Sequence, residues 1–219
     1  MKIVLDFDDT IFNTHRLMRE FLEIVKKFGF TEEEFFGAYQ ECKKIMGYFD
    51  PKTIIELLNK AKPFDKVKAE KEIDLILSDL SNFVYSDFFD FVKDFKKESL
   101  ILLSFGAIDF QEIKIENSGI TSYFQEIIIT QRDKTEDLKN ILRQTQDDKG
   151  NEGEKIFFID DKTVQVDNIK NKFPEIITMK LKRPQGVDIM TDSKITDYTV
   201  KNLNEVKEII FRLGKLRLV

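Results

Sequence analysis

Residues 2–10 read Lys-Ile-Val-Leu-Asp-Phe-Asp-Asp-Thr, a stretch that turns from purely apolar to strongly acidic within a few residues. Ile3, Val4 and Leu5 form the consecutive apolar run of a strand covered on both faces in a parallel sheet. Asp6, Asp8 and Asp9 follow at its carboxyl end, where open α/β sheets place their ligands. Acids so close repel one another. A divalent, oxygen-seeking cation such as Mg²⁺ among them relieves the repulsion and leaves one carboxylate free to attack an electrophile. The same acids also suit a turn, because Asp accepts hydrogen bonds from nearby backbone N–H groups, so this stretch alone leaves both readings open.

The chain is 219 residues long, enough for one α/β domain carrying a sizeable insertion. Its net charge of −5 argues against nucleic acid as a partner, since binding a phosphodiester backbone draws on clustered Lys and Arg. Cys42 is the single cysteine, which excludes an intramolecular disulfide and a Cys-based metal site within one chain. The apolar run at the start is too short and too soon acidic for a secretory signal or a membrane span. These features lead us to expect a soluble cytoplasmic protein, a monomer or small homo-oligomer, with no membrane partner. His15 is the only histidine, so a Ser-His-Asp or Cys-His system would have to use it. Carboxylates, hydroxyls, lysine and a metal remain as the chemical repertoire.

Beyond Thr10 the apolar spacing becomes helical. Leu17, Met18, Phe21, Leu22, Val25 and Phe28 share a stripe that Gly29 ends. Thr31 with Glu34 is a capping-box pattern opening a second helix. Asp50 as N-cap with Pro51 at the first helical position opens a third, and a fourth is expected from about residue 65 toward 82. Strands then return in alternation with helices, over 100–103, 127–129, 156–159, 176–179 and 198–200. The helices between and after them are expected near 109–117, 134–142, 164–173 and 204–213. The polar tract 144–154 reads as a loop, having little to bury.

Alternating strands and helices imply an α/β fold, a doubly wound parallel sheet. The helical block over 14–85 is read as an all-helical cap inserted after the first strand, with residues 1–13 and 86–219 as the core. Polar residues stand at successive strand ends or helix starts: Asp6 and Asp8, Ser104, Lys134, then Asp160 and Asp161. Each alone has a structural reading as a cap, turn former or solvated side chain, and Arg132 competes with Lys134.

In this order the residues resemble the haloacid dehalogenase (HAD) superfamily of phosphohydrolases. Asp6-x-Asp8-x-Thr10 matches its first motif, Ser104 the second, Lys134 the third, and Asp160 with Asp161 the fourth. Residues 105–124, with Gln111, Lys114, Gly119, Ile120 and Phe124, also look like the run that follows the second motif. The resemblance covers about two thirds of the chain and implies a HAD-type Rossmann-like core.

It further implies a Mg²⁺-dependent phosphatase acting on a small phosphorylated metabolite, of nucleotide or sugar phosphate type. Asp6 would be the nucleophile, Asp8 the acid/base, and Ser104 and Lys134 the groups that hold the phosphoryl oxygens. Asp6, Asp8 through its carbonyl, Asp160 and Asp161 would hold the metal, while Thr10, Phe105 and Gly106 would lie against the substrate. Asp9 is read as a turn residue. The chain departs from the family pattern at Phe105, where many relatives have Asn, and at Ile159, where many have Gly. A phosphomutase on the same scaffold, and a non-catalytic module binding phosphate or a partner, are the alternatives; a hydrolytic dehalogenase would need neither the second Asp nor the acid pair.

Overall fold

The computed structural model describes residues 1–147, 155–184 and 190–215. Its centre is a six-stranded, fully parallel sheet: β1 (Lys2–Leu5), β2 (Leu100–Phe105), β3 (Glu126–Thr130), β4 (Ile156–Asp160), β5 (Ile177–Leu181) and β6 (Tyr198–Val200), in the order β3-β2-β1-β4-β5-β6. Ile3, Val4 and Leu5 are completely buried because each faces one of two apolar layers. Ile3 and Leu5 point into the larger layer and Val4 into the other, as side-chain alternation requires. The chain winds away from β1 in both directions, so the order reverses between β1 and β4. That reversal opens the crevice in which doubly wound sheets bind ligands, and Asp6 and Asp160 stand at its two lips. The Asp6 N–H donates to Ile159 O at 2.9 Å, which holds those lips in register.

Four helices fill the insertion: α1 (Thr14–Lys27), α2 (Glu32–Met46), α3 (Pro51–Ala61) and α4 (Lys66–Leu77). Their starts follow from the capping residues. Thr31 Oγ1 accepts from Glu34 N while Glu34 Oε2 accepts from Thr31 N, and Asp50 Oδ2 accepts from Thr53 N at 2.9 Å. Gly29 closes α1 at φ +84°, where a Cβ would be strained. The apolar stripes of the insertion join the larger layer of the sheet without interruption. The remaining α-helices among the described residues are α5 (Ser86–Val92), α6 (Ile108–Asn117), α7 (Lys134–Asp147), α8 (Thr163–Lys172) and α9 (Leu203–Lys215).

Two boundaries differ from the sequence expectation. α4 stops at Leu77 rather than near residue 82, and a 3-10 turn over Ser81–Phe83 follows it. There Asp79 Oδ1 accepts from both the backbone N–H and the hydroxyl of Ser81, a local pairing that competes with helix continuation. α7 runs on to Asp147, because residues 143–147 contain neither Gly nor Pro to stop it. The rest of the polar tract, 148–154, lies outside the described residues.

Behind the site, Arg183 is almost fully buried and its guanidinium meets Asp87 bidentately at 2.7 and 2.9 Å. It also donates to Thr10 O at 2.8 Å and lies 4.0 Å from the Tyr85 ring centroid. This single side chain pins the backbone just past the acidic cluster to α5. Arg183→Ala leaves the partly buried Asp87 without its counter-charge, and urea unfolding is expected to show a loss of about 2–4 kcal/mol, toward the lower end of what breaking a buried pair costs. Arg183→Lys is expected to recover only part of it, since an ammonium cannot form the two-pronged pair.

Candidate active site

Asp6 is only 4% exposed, and its Oδ1 accepts from Lys134 Nζ at 2.5 Å. The same ammonium donates to Asp160 Oδ2 at 2.7 Å. Lys134, the first residue of α7, is thus buried between two carboxylates, whereas Arg132 lies at the surface paired with Asp137. Burial tends to strip the Lys134 proton, but Asp160 and Asp6 outweigh it and hold the group above the usual lysine range. For Asp6 burial wins over Lys134, with Asp160 adding repulsion, and the carboxyl is pushed up to about 6. Asp161 is raised well above the ordinary carboxylate range by burial and by the charges of Asp160 and Asp6.

Asp6, Asp160 and Asp161 each place one carboxylate oxygen within 4.8 Å of the others. Asp6 Oδ2 and Asp161 Oδ1 are buried and receive no hydrogen bond. Buried anionic oxygens without donors are costly. A hard divalent cation takes oxygen ligands of this type, so the donor set fits Mg²⁺.

Asp8 points away from this cluster. Its carboxylate accepts from Gln111 Nε2 at 2.6 Å, from Lys114 Nζ at 2.5 Å and from Thr14 Oγ1. Burial pushes the Asp8 carboxyl up, yet the Lys114 charge and these three hydrogen bonds prevail, and its pKa lies below the usual value. Lys114 is 2% exposed and has the rings of Phe7, Phe12 and Phe110 within 5.1–5.5 Å of its ammonium. Gln111 also donates to Phe105 O at 3.0 Å, tying the turn after β2 to Asp8. Gly106 permits this approach, because a Cβ there would lie 2.8 Å from Gln111 Nε2.

The other expected site residues divide by position. Ser104 lies at the end of β2, fully buried, with Oγ free of any hydrogen bond. Phe105 and Gly106 line a cavity of about 300 Å³ that also touches Asp8 and Asp161. Thr10 does not line it. Its side chain is fully buried, and like that of Ser104 its hydroxyl has no hydrogen-bond partner. Asp9 has φ +53° and its Oδ1 accepts from Thr14 N at 3.1 Å and His15 N at 3.4 Å, so it shapes the turn and caps α1. Burial first, then the Asp8 charge, raises its carboxyl to about 7.

Sequence reasoning gave no role to Gln111 and Lys114, nor to the cap side of the cavity. Lys114 was legible in principle, as a polar pair with Gln111 on the same stripe of α6 as the buried Phe110 and Ile115. The far wall comes from α2 and the segment after it, with Tyr39, Lys43, Tyr48 and Phe49. Gln131 Nε2 donates to the Tyr48 hydroxyl at 2.8 Å, joining insertion and core across the mouth. A larger cavity, about 470 Å³, lies on the other side of Tyr48 between α3, α4 and α6, and Asp6, Asp8, Asp160 and Asp161 do not line it.

No family model and no curated protein matches this sequence. Solved structures do. A haloacid dehalogenase-like hydrolase from Burkholderia xenovorans superposes with a TM-score of 0.73 at 16% identity, over 94% of this chain and 96% of that one. A HAD hydrolase from Bacillus subtilis, solved with magnesium bound, gives 0.64 at 15% identity over 95% and 97%. The L-2-haloacid dehalogenase from Xanthobacter autotrophicus gives 0.59 at 15% identity over 96% and 98%. The chain therefore has the α/β fold of the HAD-like hydrolases, with the acids of its switch point at the carboxyl ends of β1 and β4.

Proposed function

We propose that the protein is a Mg²⁺-dependent phosphoric monoester hydrolase that acts on a small phosphorylated metabolite through an aspartyl-phosphate on Asp6. The observation that carries this reading is the pair of buried, donor-free oxygens, Asp6 Oδ2 and Asp161 Oδ1, gathered with Asp160 around one space. Asp6, Asp160 and Asp161, with the backbone carbonyl of Asp8, would hold the metal. The ion supplies positive charge against the repulsion between an anionic nucleophile and an anionic phosphate.

In the first half-reaction Asp6 attacks phosphorus in line, and Asp8 delivers a proton to the leaving oxygen. The arriving phosphate adds negative charge beside Asp8, which raises its affinity for that proton. In the second half-reaction Asp8, as the carboxylate that Lys114, Gln111 and Thr14 hold, takes a proton from the attacking water. Lys134 holds Asp6 in place and, with Ser104, would meet phosphoryl oxygens, as the resemblance implies.

The similarity to L-2-haloacid dehalogenases supports a second reading, hydrolysis of a carbon–halogen bond from the same nucleophile. That chemistry leaves Asp8 and the acid pair without a task, so we favour phosphate ester hydrolysis. The two are separated by incubating the protein with an aryl phosphate and with 2-chloropropionate. Phosphate release that a chelator abolishes is expected; halide release without phosphate release would replace the proposal with the second reading. Lys114→Met is expected to lower kcat on the order of 10²-fold. Removing the cation raises the Asp8 pKa, so the acidic limb of the pH–rate profile moves to higher pH. An unchanged limb would mean that Lys114 serves packing alone.

A further inference from the structure

The cavity over Asp8 is lined by lysines that the ion pairs of the site do not use up. Lys134 is committed to Asp6 and Asp160, and Lys114 to Asp8. Two more lysines line the same space, Lys43 from α2 and Lys162 just after β4. Among the described residues neither ammonium lies within ion-pair distance of a carboxylate. Each is instead over an aromatic face, Lys43 5.5 Å from the Tyr39 ring centroid and Lys162 5.8 Å from that of Phe105. A ring orients an ammonium but leaves its N–H donors free. Burial works against the charge on Lys162, but it also feels the attraction of Asp161, Asp6, Asp160 and Asp8, which keeps it charged.

The two lysines also come from opposite walls, one from the insertion and one from the core. The Tyr39 phenol lies near Lys162 and Asp8, and burial holds it above its ordinary pKa, so it remains a neutral donor. Among the described residues the acids on this cavity are Asp8, Asp9 and Asp161, all of which stand at the strand ends of the core. The insertion side is thus cationic and aromatic.

We propose that the leaving group of the substrate bears a second anionic group, a carboxylate or a further phosphate, that docks between Lys43 and Lys162. This rests on the phosphatase reading above and narrows its substrate to a two-headed anion. A cavity of about 300 Å³ is at the small end of ligand sites, which suits a spacer of a few carbons. The second head neutralises charge contributed by both walls, so binding it also draws the insertion and the core together over the ester.

The test uses three phosphate esters of one length: propane-1,3-diol monophosphate as neutral reference, 3-phosphonooxypropanoate for the carboxylate, and propane-1,3-diol bisphosphate for the second phosphate. With Mg²⁺, kcat/KM is expected to be at least about tenfold higher for one or both anionic esters than for the reference, the size of one charge-assisted hydrogen bond. Which of the two leads identifies the second head. Lys43→Ala, a change on an exposed helix surface, is expected to shrink that ratio about tenfold, with Lys43→Arg restoring most of it. A ratio near one in the wild type, or one unmoved by Lys43→Ala and Lys162→Met alike, overturns the proposal.

Binding of 4-phosphonobutanoate against butylphosphonate, measured by calorimetry with Mg²⁺, reads the same preference without turnover. Preference in binding with no phosphate release from any ester would defeat the phosphatase reading and leave the two-headed ligand standing. Phosphate release with no preference would do the reverse.

Discussion

Asp6→Asn is expected to lower kcat/KM for an aryl phosphate on the order of 10⁴-fold or more, as removal of a nucleophile does when the remaining groups cannot substitute for it. The replacement keeps the shape of the side chain and leaves Lys134 paired with Asp160, so the loss reports chemistry rather than unfolding. Stability moves the other way. An acid whose pKa is pushed to about 6 by burial is one the fold would rather hold neutral, and the amide is neutral at every pH. Without metal at pH 7.5, Asp6→Asn is therefore expected to melt above the wild type. Asp8→Asn is expected to be nearly as inactive by turnover, yet to accumulate covalent phosphate on the peptide containing Asp6, because the base that activates water is missing. Mass spectrometry of a quenched reaction decides this, and phosphate recovered on Asp6→Asn would move the nucleophile elsewhere.

The second large effect is on heat stability. Burial and the neighbouring acids push Asp6 up to about 6 and Asp9 up to about 7, against an ordinary value of 3.8, and raise Asp161 as well. Between pH 4 and 7 the folded chain therefore retains protons that the unfolded chain has released. By linkage its stability falls as pH rises through that window. A cation bound by Asp6, Asp160 and Asp161 displaces those protons and removes the repulsion, so its benefit grows with pH. Saturation at about 100 times Kd contributes about 2.7 kcal/mol, which for a chain of this size raises Tm by about 5–10 °C. Scanning calorimetry is expected to show this shift with Mg²⁺ at pH 7.5 and much less at pH 5. An equal shift at both, or an equal one in an Asp160→Asn/Asp161→Asn variant, would place the ion elsewhere.

What the sequence made legible is what strand ends dictate. A parallel strand buried on both faces announces itself as Ile3-Val4-Leu5, and the polar residue that ends it has nowhere to go but the crevice. Asp6, Ser104 and Asp160 were found in this way, and Lys134 by opening the helix after β3. Lys114 and Gln111 share a stripe of α6 with Phe110 and Ile115, which hints that they are buried, but that they meet Asp8 depends on how α6 lies against the loop after β1, a tertiary fact that a helix of mixed polarity does not reveal. Tyr39, Lys43 and Tyr48 escaped for a related reason. Their stripe reads as part of the insertion's own packing, and only the folded insertion shows that its edge is a cavity wall. The ends of α4 and α7 were misjudged where short polar residues decide the boundary: a Ser–Asp pair ended one helix early, and the absence of Gly or Pro let the other continue.

The uninterrupted apolar layer shared by the sheet and α1–α4 bears on how such a protein can change over time. A module with its own closed interior can be exchanged for another like a tool on a handle. Here Leu17, Phe21, Phe35 and Ile54 belong to the same interior as Leu5, Leu102 and Ile159, so cutting out the insertion would leave the sheet with a greasy wound rather than a smaller enzyme. New specificity is then reached by repainting the few side chains on the rim, Tyr39, Lys43 and Tyr48 among them, while the shared interior is inherited whole.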